Sequence, residues 1–142
     1  MDIRQITDAY AVAPQIEPTD MVAVAAAGFV AVINNRPDAE VSGPQLSTPM
    51  QVAAEAAGLR YIANPVVNGA LTLDMVTNQG TAVAQVDGPV LAWCRSGTRS
   101  SIVWALSQAG KMPTKDIIAQ LATAGYQIPG LDQQIDQLAS QA

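Results

Sequence analysis

Two unbroken apolar runs of strand length, Phe29-Val-Ala-Val-Ile33 and Pro89-Val-Leu-Ala-Trp93, constrain the fold of this chain more than any other feature. Neither alternates apolar with polar residues, so neither suits a sheet with one face in water. Such runs belong to strands covered on both sides, as in a parallel sheet sandwiched by helices. The intervening segments supply the helices. Pro18 opens a helical pattern that runs to about Ala27 and stops at Gly28. Pro49 to Ala57 is a second, stopped by Gly58. Thr72 is a suitable N-cap for a third that reaches about Val86, with Asp74 in its first turn. Thr98 to Ala109, Pro113 to Ala124 and Pro129 to Ala139 complete the set. Ile3–Ile6, Tyr10–Ala13 and Tyr61–Ala63 read as further short strands, and Asn34 to Ser47 as a long loop.

This alternation predicts the α/β class: a mainly parallel central sheet flanked by helices, in one domain over residues 1–142. A second core would leave each half marginal. Hydrophobic residues make up 49% and charged residues 13% of the chain, which excludes intrinsic disorder. A net charge of −5 gains nothing from counterion release, so nucleic acid is not an expected partner. There is no histidine, which excludes a Ser-His or Cys-His couple and any His-ligated metal. Cys94 is the one cysteine, so an internal disulfide and a thiolate metal cluster are excluded too. No metal and no cofactor is expected. A lone cysteine fits a reducing, cytoplasmic setting. Met1-Asp2-Ile3-Arg4 lacks the pattern of a signal peptide. The apolar run from Met21 to Val32 is interrupted by Gly28 and too short for a bilayer, so no membrane partner is expected.

Ligands of open parallel sheets bind beyond the carboxyl ends of the strands. Two loops fall there, Asn34-Asn35-Arg36-Pro37-Asp38 and Cys94-Arg95-Ser96-Gly97-Thr98-Arg99-Ser100. In the second, Cys94 follows a buried strand directly and Arg99 opens a helix. Consecutive amides and a helix N-terminus there make a cradle for an anion, in a field that favours thiolate over thiol. Gly97 allows a backbone conformation that a Cβ resists. Arg99 offers a planar fork for two oxygens of an anion. Ser100 can donate to the sulfur, while Arg95, Ser96 and Thr98 contribute mainly their backbone. The competing reading is a small buried cysteine packed at a strand end. In the first loop, Asn35, Arg36 and Asp38 either line the pocket and brace the cysteine loop, or form a turn with Arg36 and Asp38 paired locally. Tyr126 reads as helix-end packing or a pocket rim.

Val90-Leu-Ala-Trp-Cys-Arg-Ser-Gly-Thr-Arg-Ser100, preceded by Gly28-Phe29 and Val32-Ile-Asn-Asn-Arg-Pro-Asp-Ala-Glu40, resembles the bacterial DUF442 group. That group is also described as the phosphatase-like domain of beta-lactamase-hydrolase-like proteins. The resemblance runs from Gln15-Ile16 through the final helices. It implies the fold of dual-specificity and tyrosine phosphatases, with Cys94 as nucleophile, the Arg95–Arg99 backbone as anion cradle and Arg99 as clamp. Three departures stand out. Only four residues separate Cys94 from Arg99, one fewer than is usual in those phosphatases, so the loop resembles that of rhodaneses. Trp93 precedes the cysteine, where histidine is frequent. The stretch Asn64–Leu71 carries no aspartate to act as general acid, leaving Asp74 and Asp38 as the nearest substitutes. The implied function is a cysteine-dependent, phosphatase-like hydrolase acting on a small anionic or phosphorylated substrate. The alternatives are a rhodanese-like sulfurtransferase or persulfide-handling domain, and a non-catalytic anion-binding module.

Overall fold

The computed structural model describes residues 1–141. The strands are β1 (Arg4–Thr7), β2 (Tyr10–Ala13), β3 (Ala31–Asn34), β4 (Arg60–Ala63) and β5 (Val90–Trp93). The helices are α1 (Met21–Ala26), α2 (Ser47–Ala56), α3 (Leu73–Gln85), α4 (Thr98–Ser107), α5 (Thr114–Thr123) and α6 (Leu131–Ala139). All five strands form one sheet in the order β1-β2-β5-β3-β4. Only the β1–β2 edge pair is antiparallel. The α/β, mainly parallel architecture is therefore the one that the apolar runs require.

Several boundaries shift from the expected ones. The first helix opens with a turn of 3-10 helix, Pro18–Asp20, before α1 begins. Asp20 there accepts from the Glu17 amide, so the turn is held by its own polar groups. The loop from Asn34 to Ser47 contains two more such turns, Asp38–Glu40 and Gly43–Gln45. Thr72 caps α3 as its sequence predicts, accepting from the Met75 amide at 3.3 Å.

The buried strands send successive side chains to opposite faces. Ala11, Val32, Leu91 and Trp93 point to the side covered by α1 and α2, where they meet Met21, Val24, Met50 and Ala54. Tyr10, Val12, Ile33, Val90 and Ala92 point to the other side, against Val103, Trp104, Ile117, Leu121 and Ile135 from α4, α5 and α6. Tyr10 stacks on Trp104 there with ring centroids 5.7 Å apart. Both faces of β5 are thus covered, which explains its unbroken apolar run.

Register then places the functional edge. Ala13 and Asn34 both pair with Trp93, and Asn34 pairs with Ala63. Four parallel strands therefore end at one level. Asn35, Asn64 and Cys94 follow their strands directly, and Gln15 stands one residue further on, after Pro14. Leu91 is fully buried in the middle of this sheet. Truncating it by Leu91→Ala is expected to cost about 2–5 kcal/mol in urea denaturation, through lost burial and a residual cavity. A change under about 1 kcal/mol would contradict the packing described, being below any fully buried leucine truncation.

Candidate active site

Cys94 leaves β5 directly after Trp93 and is fully buried, yet it belongs to neither apolar cluster. Its sulfur accepts a hydrogen bond from the Gly97 amide at 3.1 Å. The chain can turn back on the sulfur because Gly97, just before α4, has φ of +90°. A side chain there would also collide with Tyr126, since a Cβ would lie 2.1 Å from its hydroxyl oxygen. Gly97 is therefore required twice, by its dihedral and by the space. Its carbonyl accepts from both the amide and the hydroxyl of Ser101, at the start of α4.

The remaining amides of this loop are open. Those of Arg95, Ser96, Arg99 and Ser100 have no protein acceptor among the described residues. The Thr98 amide turns to the Ser96 hydroxyl at 3.4 Å, and that hydroxyl donates to the Thr98 side chain at 3.0 Å. Arg95 and Ser96 are exposed, and Thr98 is half-buried. Unpaired amides curled at a helix N-terminus are the geometry that holds an oxyanion. The outer wall of the loop is held by Tyr126, whose hydroxyl donates to the Ser96 carbonyl at 3.0 Å. Burial pushes this phenol above its ordinary value, against the opposing effect of Arg4, so it stays protonated and donates. Arg4 lies over the Tyr126 ring, its guanidinium carbon 5.4 Å from the centroid.

Beneath the loop lies a buried polar network. The Asn35 side-chain amide donates to Gln79 Oε1 at 2.8 Å and to the Asn64 carbonyl at 2.9 Å. Gln79 donates back to Asn35 Oδ1 and to the Tyr10 hydroxyl. Asn64 donates to Gln79 Oε1 and to the Met75 carbonyl. The Tyr10 hydroxyl, kept protonated because burial pushes it upward, donates to the Ser100 carbonyl at 2.8 Å. Ser100 Oγ donates to Asn35 Oδ1 at 2.8 Å. That corrects the expected bond from Ser100 to the sulfur, because the hydroxyl is committed to the network. Gln79 and Tyr10 are partners that sequence reading did not single out.

Arg99 is buried and its fork is occupied. Its Nη1 and Nη2 donate to the two carboxylate oxygens of Glu40, each at 2.7 Å, and Nη1 also donates to the Val66 carbonyl at 2.8 Å. The guanidinium is raised above its ordinary value, first by its hydrogen bonds to Glu40, with burial opposing and the neighbouring Cys94 adding. Glu40 is correspondingly lowered, first by Arg99. Arg36 also pairs with Glu40, at 3.4 Å, and donates to Gln15 Oε1 at 3.1 Å. The local pair of Arg36 with Asp38, one of the two readings of this loop, is not formed among the described residues. Asp38 instead accepts from the Ser47 amide, where α2 begins. Asp74 is exposed in the first turn of α3 and makes no hydrogen bond or ion pair among the described residues. Neither aspartate is brought to the sulfur by a contact. A cavity of about 210 Å³ opens beside Arg99, walled by Val66, Val67, Leu71 and Ile102. Among the described residues no group of three metal-binding side chains is assembled, and no helix is long and apolar enough to cross a membrane.

The family model for the phosphatase-like domain of beta-lactamase hydrolase-like proteins matches residues 2–111. The chain belongs to that family. It is 31% identical over 130 residues to a beta-lactamase hydrolase-like protein of Xylella fastidiosa, covering 90% of this chain and 30% of that protein. The chain thus spans under a third of the length of the curated relatives it matches. A candidate phosphatase from Neisseria meningitidis superposes with a TM-score of 0.82 and 28% identity, covering 97% of this chain and 99% of the other. TpbA of P. aeruginosa, solved as a cysteine-to-serine variant in complex with pTyr, shares the fold at a TM-score of 0.68 and 11% identity, covering 99% of this chain and 89% of that one. The fold is that of the tyrosine and dual-specificity phosphatases.

Two outcomes test this geometry. Gln79→Leu leaves Asn35, Asn64 and Tyr10 short of partners and is expected to cost about 1–3 kcal/mol for each orphaned group. Denaturation that differs by less than about 0.5 kcal/mol would contradict the network, since orphaned buried groups cost more. Glu40 titrates below its ordinary value of 4.5, so its contribution to stability is complete above that value and is lost as pH falls through the lowered one. The melting-temperature gap between the native protein and Glu40→Gln should narrow as pH falls below 4.5 and close in stronger acid. A gap that persists in acid would contradict the pairing.

Proposed function

We propose that the chain is a cysteine-dependent phosphatase acting on small aryl phosphates in a reducing compartment. The observation that carries this reading is the set of unpaired amides at Arg95, Ser96, Arg99 and Ser100, in the loop that follows Cys94, with Arg99 beside the cysteine. The Cys94 thiolate attacks phosphorus, the bond from phosphorus to the aryl oxygen breaks, and the aryloxide leaves. Water then attacks the thiophosphoryl group, releasing phosphate and restoring the thiol. Loop amides and Arg99 hold the charge spread over the equatorial oxygens.

Membership of the phosphatase-like family supports the reaction class. The pTyr complex of TpbA, a relative in fold, supports an aryl phosphate. So does the missing proton donor. A general acid is worth about 10²–10⁴-fold, and an aryl leaving group needs it least. The cavity beside Arg99, walled by Val66, Val67 and Leu71, has no carboxylate in its lining among the described residues and would receive an apolar ring.

The spacing favours one second reading. With four residues between Cys94 and Arg99 the loop is short, which suits a terminal sulfur carried on Cys94 as a persulfide. The two separate cleanly. The protein should release phosphate from p-nitrophenyl phosphate, and Cys94→Ser should lower that rate at least about 10³-fold, as expected for loss of a nucleophile. No turnover between about pH 5 and about pH 8 would overturn the phosphatase reading. A stable gain of one sulfur atom on Cys94 after polysulfide treatment would then establish the second.

A further inference from the structure

A chain of hydrogen bonds runs from one end of the cysteine loop to the other, through residues that the reaction described above does not use, and ends on Arg99. The Gln15 backbone amide donates to the Arg95 carbonyl at 3.3 Å, while its side chain carries the next link. Gln15 Oε1 accepts from Arg36. Arg36 bonds Glu40 through its carboxylate and its carbonyl. Glu40 grips both terminal nitrogens of Arg99. Residues that leave β2 and β3 at the same level thus join the first residue after Cys94 to the last residue of the loop.

We propose that Gln15, Arg36 and Glu40 form a brace that holds one edge of the Arg99 guanidinium toward Cys94, with Glu40 as the positioning residue. A guanidinium offers two donor edges. Glu40 and Val66 fill the edge formed by Nη1 and Nη2. Nε makes no hydrogen bond among the described residues, so the side of the fork that includes it is left for an incoming oxyanion. Fixing the plane in advance removes the entropy of orienting a long side chain when the anion arrives. Arg36 matters because it shares the carboxylate. Two cations and one anion leave the mouth of the site with one positive charge rather than none. The site is thereby suited to an anion of low charge.

The opposing possibility is that Glu40 occupies the place of the anion and obstructs it. The two differ in sign. The inference rests on Cys94 meeting an anion, but its test does not need turnover, so a failed phosphatase reading leaves it readable. Cys94 is the one cysteine, so alkylation reports a single site. Iodoacetate carries a carboxylate and iodoacetamide does not, and the ratio of their rates measures how well the loop holds an anion.

The native ratio is expected to exceed that of glutathione by about tenfold, the scale of one charge-assisted hydrogen bond. Glu40→Ala should return the ratio to that of glutathione, while Glu40→Gln, which keeps one acceptor for Arg99, should stay within about threefold of native. Gln15→Leu, which removes no charge, should lower the ratio about threefold, covering the case in which Glu40→Ala does not fold. A native ratio no higher than that of glutathione overturns the proposal. So does a Glu40→Ala or Gln15→Leu ratio at or above native, which would make the brace an obstruction or a bystander.

Discussion

The site depends first on the buried side chain of Asn35. It sits where β3 ends, with its backbone amide on the Trp93 carbonyl and its carbonyl accepting from Val66. Its side chain meets the Asn64 carbonyl, Gln79 and Ser100. One residue therefore ties together the loops that leave three neighbouring strands, a helix on one face and the first turn of α4. In a low-dielectric interior these bonds are strong when complete and costly when broken. The cysteine loop inherits its shape from this network. Ser100 secures it from below, and Tyr126 secures it from outside.

Charge is spent sparingly in this protein, with 13% of residues charged, yet three charges converge on one place. Arg99 is buried, Glu40 is partly exposed, and Arg36 reaches across the gap. A buried guanidinium without a carboxylate would be strongly destabilising. The same pairing that keeps Arg99 tolerable inside the protein also fixes its plane. The unpaired amides of Arg95, Ser96, Arg99 and Ser100 then complete a donor surface that the protein itself does not satisfy. Under the proposed function, that set of donors beside a thiol receives the anion.

What could be read from the sequence was local. The covered strands β3 and β5 follow from unbroken apolar runs, the cap of α3 from Thr72, and the turn of the loop from Gly97. The neighbourhood of Cys94 and Arg99 follows because five residues of chain span it. The partners that shape the site are distant in sequence and carry no local signal. Glu40 lies 59 residues from Arg99, Gln79 lies 44 from Asn35, and Tyr126 lies 30 from Ser96. Glu40 stands in a short turn that reads as a solvated loop, and Gln79 stands on a helix where glutamine is ordinary. Only the register of the parallel strands brings them together. Ser100 misled for the same reason. Near Cys94 in sequence, it has a better acceptor in Asn35, which sequence distance hides. Asp38 likewise reaches across a loop to the start of α2 instead of pairing with its near neighbour Arg36.

The central claim is that an oxyanion is received on the open amides and the free side of Arg99, above the Cys94 sulfur. A crystal structure with tungstate tests it most directly. The account predicts tungstate oxygens on the amides between Arg95 and Ser100 and on Arg99 Nε, with Glu40 still paired to Nη1 and Nη2. Tungstate found elsewhere, or bound only after Glu40 has been displaced from Arg99, would contradict it.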